Sequence, residues 1–379
     1  MDSAWLPRRR ALLTWIAAAA LGPGIHSSLA LADARLVGDL PHRGSQPLLA
    51  LPGIDSEYGV IDAPGGARLR SIVTWPAGRS GRLPAVLFVG WLSCDSVDFG
   101  AGMRDGWSLM QQQLITQSNA LWMRIDKSGV GDSLGPPCAQ LDYETELGQY
   151  RAALDALLRR PDVDPRRVVI FGASMGATYA PLVAAGHPVA GVVVWGGGAT
   201  TWFERMLAFE RHALELSGLD PVRLSGEMKA REQFFARYLL QGESPMTIAR
   251  TDPALGEVWS RIVGTSGELH YGRPLAFHQQ AQQQDWPAAW ARIDAPVLAL
   301  YGAYDWFESA DAVRLIADTV NHVHPGKARF QELAGINHHF TRYASPVMAY
   351  REQEGSADPG EFVQTVLTWL DSIHFRTSP

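Results

Sequence analysis

Cysteine is nearly absent: there are two in 379 residues, Cys94 and Cys138. No close Cys/His spacing accompanies them, which disfavours a metal centre and leaves a disulfide or two buried thiols. A basic excess is lacking too. The formal net charge is -6 and 19% of residues are charged, so neither nucleic acid nor an anionic membrane is the expected partner. After residue 35 no apolar run approaches the ~20 residues of a membrane span, because charges, Gly or Pro interrupt each one. What is present is 46% apolar content, ample for the core of one large or two small domains.

The first residues are of another kind. Arg8, Arg9 and Arg10 precede the apolar run Ala11 to Leu21, and Ala30-Leu31-Ala32 sets small residues at cleavage spacing before Asp33. This predicts an export signal over residues 1–32, cut at Ala32/Asp33, and a periplasmic or secreted product. Arg9-Arg10-Ala11-Leu12-Leu13 is similar to a twin-arginine signal, although its flanking residues are incomplete. An uncleaved anchor is the alternative, and the apolar run is short for one. In an exported chain Cys94 and Cys138 are expected to pair, closing a loop of about 44 residues and stabilising the fold by ~4 kcal/mol on the chain-entropy model.

The chain is organised around RVVIFGASMGATYAP, Arg167 to Pro181. Val168 to Phe171 lack polar alternation, as a buried parallel strand does. Gly172-Ala173-Ser174-Met175-Gly176 follows directly, and small residues about a serine let the backbone reverse tightly from strand to helix. That is the G-x-S-x-G nucleophile elbow. It sets Ser174 at a helix start, where free N–H groups, Met175's among them, are available to a developing oxyanion. With 37 Gly in the chain the motif alone is weak, and its position after a strand-like run strengthens it.

Along the chain, residues 33–57 read as an N-terminal arm or linker. Tyr58 to Trp75 form two strand-like runs about the turn Ala63-Pro64-Gly65-Gly66. Ala85–Val89, Ala120–Ile125 and Val189–Trp195 are further buried-strand candidates, alternating with helices over Trp107–Gln117 and Glu144–Arg160. Residues 58–200 thus form the first part of a core with a mostly parallel sheet. From 201 to 293 aromatics recur at helical intervals with no comparable strand, so this is read as a helical cap insertion. Most of its aromatics are expected to pack helix on helix, and a minority to line a pocket. Residues 294–379 resume the alternation: strand Pro296–Tyr301, helix Ala310–Asn321, strand Phe330–Leu333, and a last helix capped by Asp358-Pro359.

A serine hydroxyl needs a base to take its proton and a carboxylate to orient that base. Gly302-Ala303-Tyr304-Asp305 ends one strand, placing a carboxylate at the sheet edge where catalytic groups gather. Gly335-Ile336-Asn337-His338-His339-Phe340 follows the next strand. The order Ser174, Asp305, His338 matches the α/β-hydrolase order. Asp311 reads instead as a first-turn helix residue. Ser93, Ser128 and Ser133 lack an elbow and read as loop residues.

With these residues the chain resembles the α/β-hydrolase superfamily over nearly all of Tyr58 to Leu370. GASMG, the GAYD turn and GINHHF resemble exported serine esterases and the catalytic domains of dienelactone-hydrolase-like and prolyl-oligopeptidase-like enzymes. DKSGVGDS resembles the Asp/Arg-Gly-x-Gly-x-Ser loop of the superfamily. Two positions depart from the pattern: Val89-Gly90 stands where His-Gly is usual, and Ala177 where a Gly often follows the elbow. Neither removes a backbone N–H, so the resemblance implies Trp91 as second oxyanion donor, with Leu92 the alternative. The G-x-x-H-x-F register favours His338 over His339 as the base, and a two-histidine metal site lacks a third ligand. The resemblance also puts Cys94 and Cys138 in loops on the catalytic side, where a bridge would fix the loop presenting Trp91.

The activity implied is a serine hydrolase acting on a small-molecule ester through an acyl-enzyme, with Ser174, Asp305 and His338 as triad and with no metal or organic cofactor. A peptidase or amidase, an acyltransferase on the same triad, and a non-catalytic binding protein of the same fold are the alternatives.

Overall fold

The computed structural model describes residues 34–44, 47–100, 102–263 and 269–376. The expected export signal and its Ala32/Asp33 junction lie outside them. Ala34–Leu36 (β1) pairs in parallel with Ile54–Ala63 (β2), which reverses through Pro64–Gly66 into the antiparallel Ala67–Pro76 (β3). Gly65 and Gly66 both take positive φ there (78° and 69°), a conformation that costs glycine nothing. The opening hairpin therefore starts at Ile54 rather than Tyr58. The stretch 33–57, expected as an arm, carries an edge strand and buries Leu40, Leu49 and Leu51.

Leu83–Val89 (β4), Gly106–Gln117 (α1), Leu121–Ile125 (β5), Tyr143–Leu158 (α2), Val163–Ala173 (β6), Gly176–Ala184 (α3) and Gly191–Trp195 (β7) follow. Trp202–Leu216 (α4), Pro221–Phe235 (α5), Pro245–Thr251 (α6), Pro253–Val263 (α7), Leu275–Gln282 (α8) and Trp286–Ala291 (α9) fill the stretch 201–293, which holds no strand among the described residues. Val297–Gly302 (β8), Ala310–Val323 (α10) and Ala328–Leu333 (β9) resume the alternation. Thr341–Arg342 (β10) and Ser356–Ala357 (β11) then pair as a small antiparallel ribbon about Pro346–Tyr350 (α11), and Gly360–Ser372 (α12) closes the fold. Pro359 holds the cap position of α12, and Asp358 before it accepts the Gly360 N–H through Oδ1 (3.3 Å) while Arg342 Nε holds its Oδ2 (2.8 Å).

Nine strands form one sheet in the order β1-β2-β3-β5-β4-β6-β7-β8-β9, antiparallel only where β3 meets β2 and β5. Every residue of β4, β5, β7 and β8 is buried, because helices cover both faces; that is why these strands read as apolar runs, broken only by Arg124 of β5, which donates to the Val97 carbonyl (3.0 Å). Side chains alternate between the faces. Ala85, Leu87 and Val89 pack with Leu147, Tyr150 and Tyr179 of α2 and α3, whereas Val86 and Phe88 pack with Met110, Leu114, Phe362 and Val366 of α1 and α12. From β4 the chain steps to β5 on one side and returns to β6 on the other. That reversal opens a crevice beyond the carboxyl ends of β4 and β6, the place where open α/β sheets hold their ligands. Among the described residues no helix is long and apolar enough to cross a membrane.

Candidate active site

Ser174 stands directly after β6 with φ +56°, a strained left-handed conformation for a residue with a side chain. Its surroundings enforce the strain. A Cβ on Gly172 would sit 2.5 Å from the Gly176 carbonyl, and one on Gly176 would strike the backbone of Val89 and Gly90. The two glycines thus let α3 press against the end of β4. The Ser174 N–H donates to the Trp195 carbonyl (2.7 Å), which ties the turn to β7. Among the described residues the N–H groups of Met175, Trp91, Leu92 and Ser93 make no hydrogen bond within the protein.

Asp305 follows β8 and is wholly buried. Its Oδ2 lies 2.6 Å from Nδ1 of His338, and its Oδ1 accepts the N–H groups of Phe307 (2.9 Å) and Glu308 (3.2 Å). The carboxylate is thereby fixed from both sides. The His338 loop is fixed as well. Trp195 Nε1 donates to the His338 carbonyl (3.0 Å), and Asn337 Oδ1 accepts the N–H groups of His339 and Thr341 (3.0 Å each). Asp305 pairs with His338; the adjacent His339 is partly exposed and turns towards Glu352 (3.9 Å).

Ser174, Met175, Trp91, Leu92, His338 and His339 border one cavity of about 1040 Å³. No hydrogen bond joins Ser174 to His338 among the described residues. Catalytic hydrogen bonds are often long before substrate arrives and tighten in the Michaelis complex. The stretch 201–293 contributes Trp202, Arg205, Met206, Phe209 and Tyr271 to the cavity wall, while Phe234, Tyr238, Trp259, Phe277, Trp286 and Trp290 are buried among the helices. Arg205 of α4 forms a buried ion pair with Glu308, three residues past Asp305, so this layer is tied to the Asp305 loop. Burial pushes the Glu308 carboxyl up to about 7 against the opposing pull of Arg205.

The loop leaving β4 is held by side chains that come from distant parts of the chain. Lys127, 5% exposed, donates to the carbonyls of Trp91, Leu92 (3.2 Å) and Ser93 (3.0 Å) and pairs with Glu146 at 3.2 Å. Arg273 pairs with the same Glu146 and donates to the Leu92 carbonyl (3.0 Å). Cys94 is bridged to Cys138 with Cα atoms 5.7 Å apart, next to this cluster: Arg273 Nη1 is 3.6 Å from the Cys138 sulfur. The rival hydroxyls are engaged in their own loops. Ser93 donates to Asp95 (2.8 Å), Ser128 to the Pro136 carbonyl (2.7 Å) and Ser133 to the Asp126 carbonyl (2.9 Å). Asp311 lies in the first turn of α10.

Gly196, just past β7, carries no chemistry of its own and yet shapes the site. At φ +58° it passes so close to the Asp305–His338 pair that a Cβ would sit 2.8 Å from His338 Nδ1 and 3.0 Å from Asp305 Oδ2.

No family model and no curated protein matches the chain. Solved structures do. A hypothetical protein from Pseudomonas aeruginosa superposes with a TM-score of 0.52 at 14% identity, over 89% of this chain and 99% of that one. The thermostable carboxylesterase EstE1, cloned from a metagenomic library, gives 0.51 at 17% identity over 88% and 92%. An esterase of Pyrobaculum calidifontis gives 0.50 at 17% over 87% and 88%. With its mostly parallel sheet, helices on both faces and this likeness, the chain has the α/β-hydrolase fold.

Proposed function

We propose that this protein is a serine hydrolase that cleaves carboxylic esters of small molecules through an acyl-enzyme. The observation that carries the reading is the buried Asp305–His338 hydrogen bond opening onto the cavity that Ser174 borders at the switch point of the sheet. Ser174 Oγ attacks the carbonyl carbon while His338 Nε2 takes its proton. Asp305 holds Nδ1 protonated and steadies the imidazolium that forms. The tetrahedral oxyanion is received by the N–H groups of Met175 and Trp91, which make no hydrogen bond within the protein among the described residues. His338 returns its proton to the departing alcohol, and water, activated by the same imidazole, releases the acid. No step in this sequence calls for a metal or organic cofactor.

An ester is preferred over an amide as substrate on two supports: apolar and aromatic side chains, Trp202, Met206 and Phe209 among them, line the cavity wall, and two of the solved structures that resemble the chain are esterases. Export belongs to the same reading, since a Cys94–Cys138 bridge suits an oxidising compartment. The test is a fluorophosphonate probe with parallel assays on p-nitrophenyl esters and aminoacyl anilides. The wild type should be labelled on Ser174 and turn over the esters, and Ser174→Ala should do neither while remaining folded. Near-wild-type ester turnover by Ser174→Ala would refute the assignment.

A further inference from the structure

A lysine ammonium has three donors. In this chain those of Lys127 are directed at three consecutive carbonyls, Trp91, Leu92 and Ser93, of the loop that borders the cavity opposite Ser174. In a trans peptide the carbonyl and the following N–H point in opposite directions. Gathering the Trp91 and Leu92 carbonyls onto one cation therefore turns the N–H groups of Leu92 and Ser93 away from it, and neither finds a partner within the protein among the described residues. A buried cation persists only when it is paired and hydrogen-bonded. Glu146, itself wholly buried, supplies the charge, and Arg273 from the 201–293 layer holds Glu146 and shares the Leu92 carbonyl.

From this geometry we propose that Lys127 is the positioning residue of the oxyanion site: it fixes the two peptides that follow Trp91, so that the Trp91 N–H stands on an anchored loop and the Leu92 N–H, the alternative donor, stays free for the tetrahedral intermediate. The proposal rests on the acyl-transfer reading above. It names a cation that touches no substrate and acts only through the loop. Its removal should therefore weaken binding of the transition state and leave ground-state binding nearly intact.

The test compares wild type, Lys127→Met and Lys127→Arg in the full chain. Fluorophosphonate labelling of wild-type Ser174 comes first, and its failure sinks the acyl-transfer reading and this inference together. Given labelling, Lys127→Met is expected to lose about 100-fold in kcat on p-nitrophenyl butyrate with KM within about threefold, and to bind an alkylboronic acid more weakly by a similar factor. Lys127→Arg keeps the charge, but its planar fork cannot gather three carbonyls in the same way, so it should recover about tenfold of that loss. A folded Lys127→Met with wild-type kcat and boronate affinity overturns the proposal while leaving the Ser174 assignment standing. If Lys127→Met does not fold, Lys127→Arg carries the test, and wild-type kcat and boronate affinity in that variant overturn it.

Discussion

His338 Nδ1 and Asp305 Oδ2 stand 2.6 Å apart, and the carboxylate has no contact with solvent. The second carboxylate oxygen is already held by two backbone N–H groups, so the imidazole can be oriented by Oδ2 alone. An amide in place of the carboxylate would favour the wrong tautomer. Asp305→Asn should lower kcat by about 10⁴-fold with little change in KM, measured on an activated ester.

Gly196 guards the same pair by having no side chain. At its φ of +58° any Cβ is strained, and a methyl group would press on both members of the pair at 2.8 and 3.0 Å. Gly196→Ala should cost about 100-fold in kcat by displacing the imidazole, with a smaller loss in melting temperature than a core truncation gives. Wild-type turnover by this variant would contradict the tight approach.

Burial, the largest influence on Lys127, draws its pKa down to about 8 despite the opposing charge of Glu146. Raising the pH through that value removes the proton with which the ammonium grips the Trp91–Ser93 carbonyls. Activity should therefore fall on an alkaline limb near pH 8 in the wild type. In Lys127→Arg, whose guanidinium stays charged, that limb should disappear from the pH profile of kcat.

His278 sits wholly buried in the 201–293 layer between the Trp202 indole N–H (3.1 Å) and the His270 carbonyl (2.7 Å), and burial lowers its pKa from 6.5 to about 3. His270 beside it is lowered in the same direction, first by burial and then by His278. Between pH 6.5 and about 3 the unfolded chain binds a proton at His278 that the folded chain refuses, so stability falls as pH drops through this window. The slope is about 1.4 kcal/mol per pH unit from that histidine. Acid titration should show this loss by circular dichroism, and His278→Gln should flatten it.

The elbow, the Asp305 turn and the His338 loop were legible in the sequence because each is announced by a short local pattern next to a strand. The parallel core was legible for a related reason: strands buried on both faces leave apolar runs. What escaped depends on distant partners. Lys127 meets Trp91 across 36 positions and Arg273 meets Leu92 across 181, so no window of sequence contains either relationship. β1 was missed because three residues are too few to show an alternation, and the arm carrying it buries isolated leucines rather than a periodic stripe. The Asp358-Pro359 start of the last helix was legible as a local pattern, whereas the hold of Arg342 on the Asp358 carboxylate spans 16 positions.

Among the described residues the nine-stranded sheet ends at β1 and β9, and both are poor templates for a further strand. On one side the described ladder of β1 is three residues long, with Arg35 held 2.8 Å from Glu57. On the other, β9 sets Arg329, Gln331 and Glu332 among its apolar residues, with Arg329 bonded to Gln331 at 2.8 Å. A second molecule approaching edge-on would have to strip water from charges to gain a few backbone bonds, so intermolecular strand pairing, the first step towards cross-β aggregates, is opposed at both flanks.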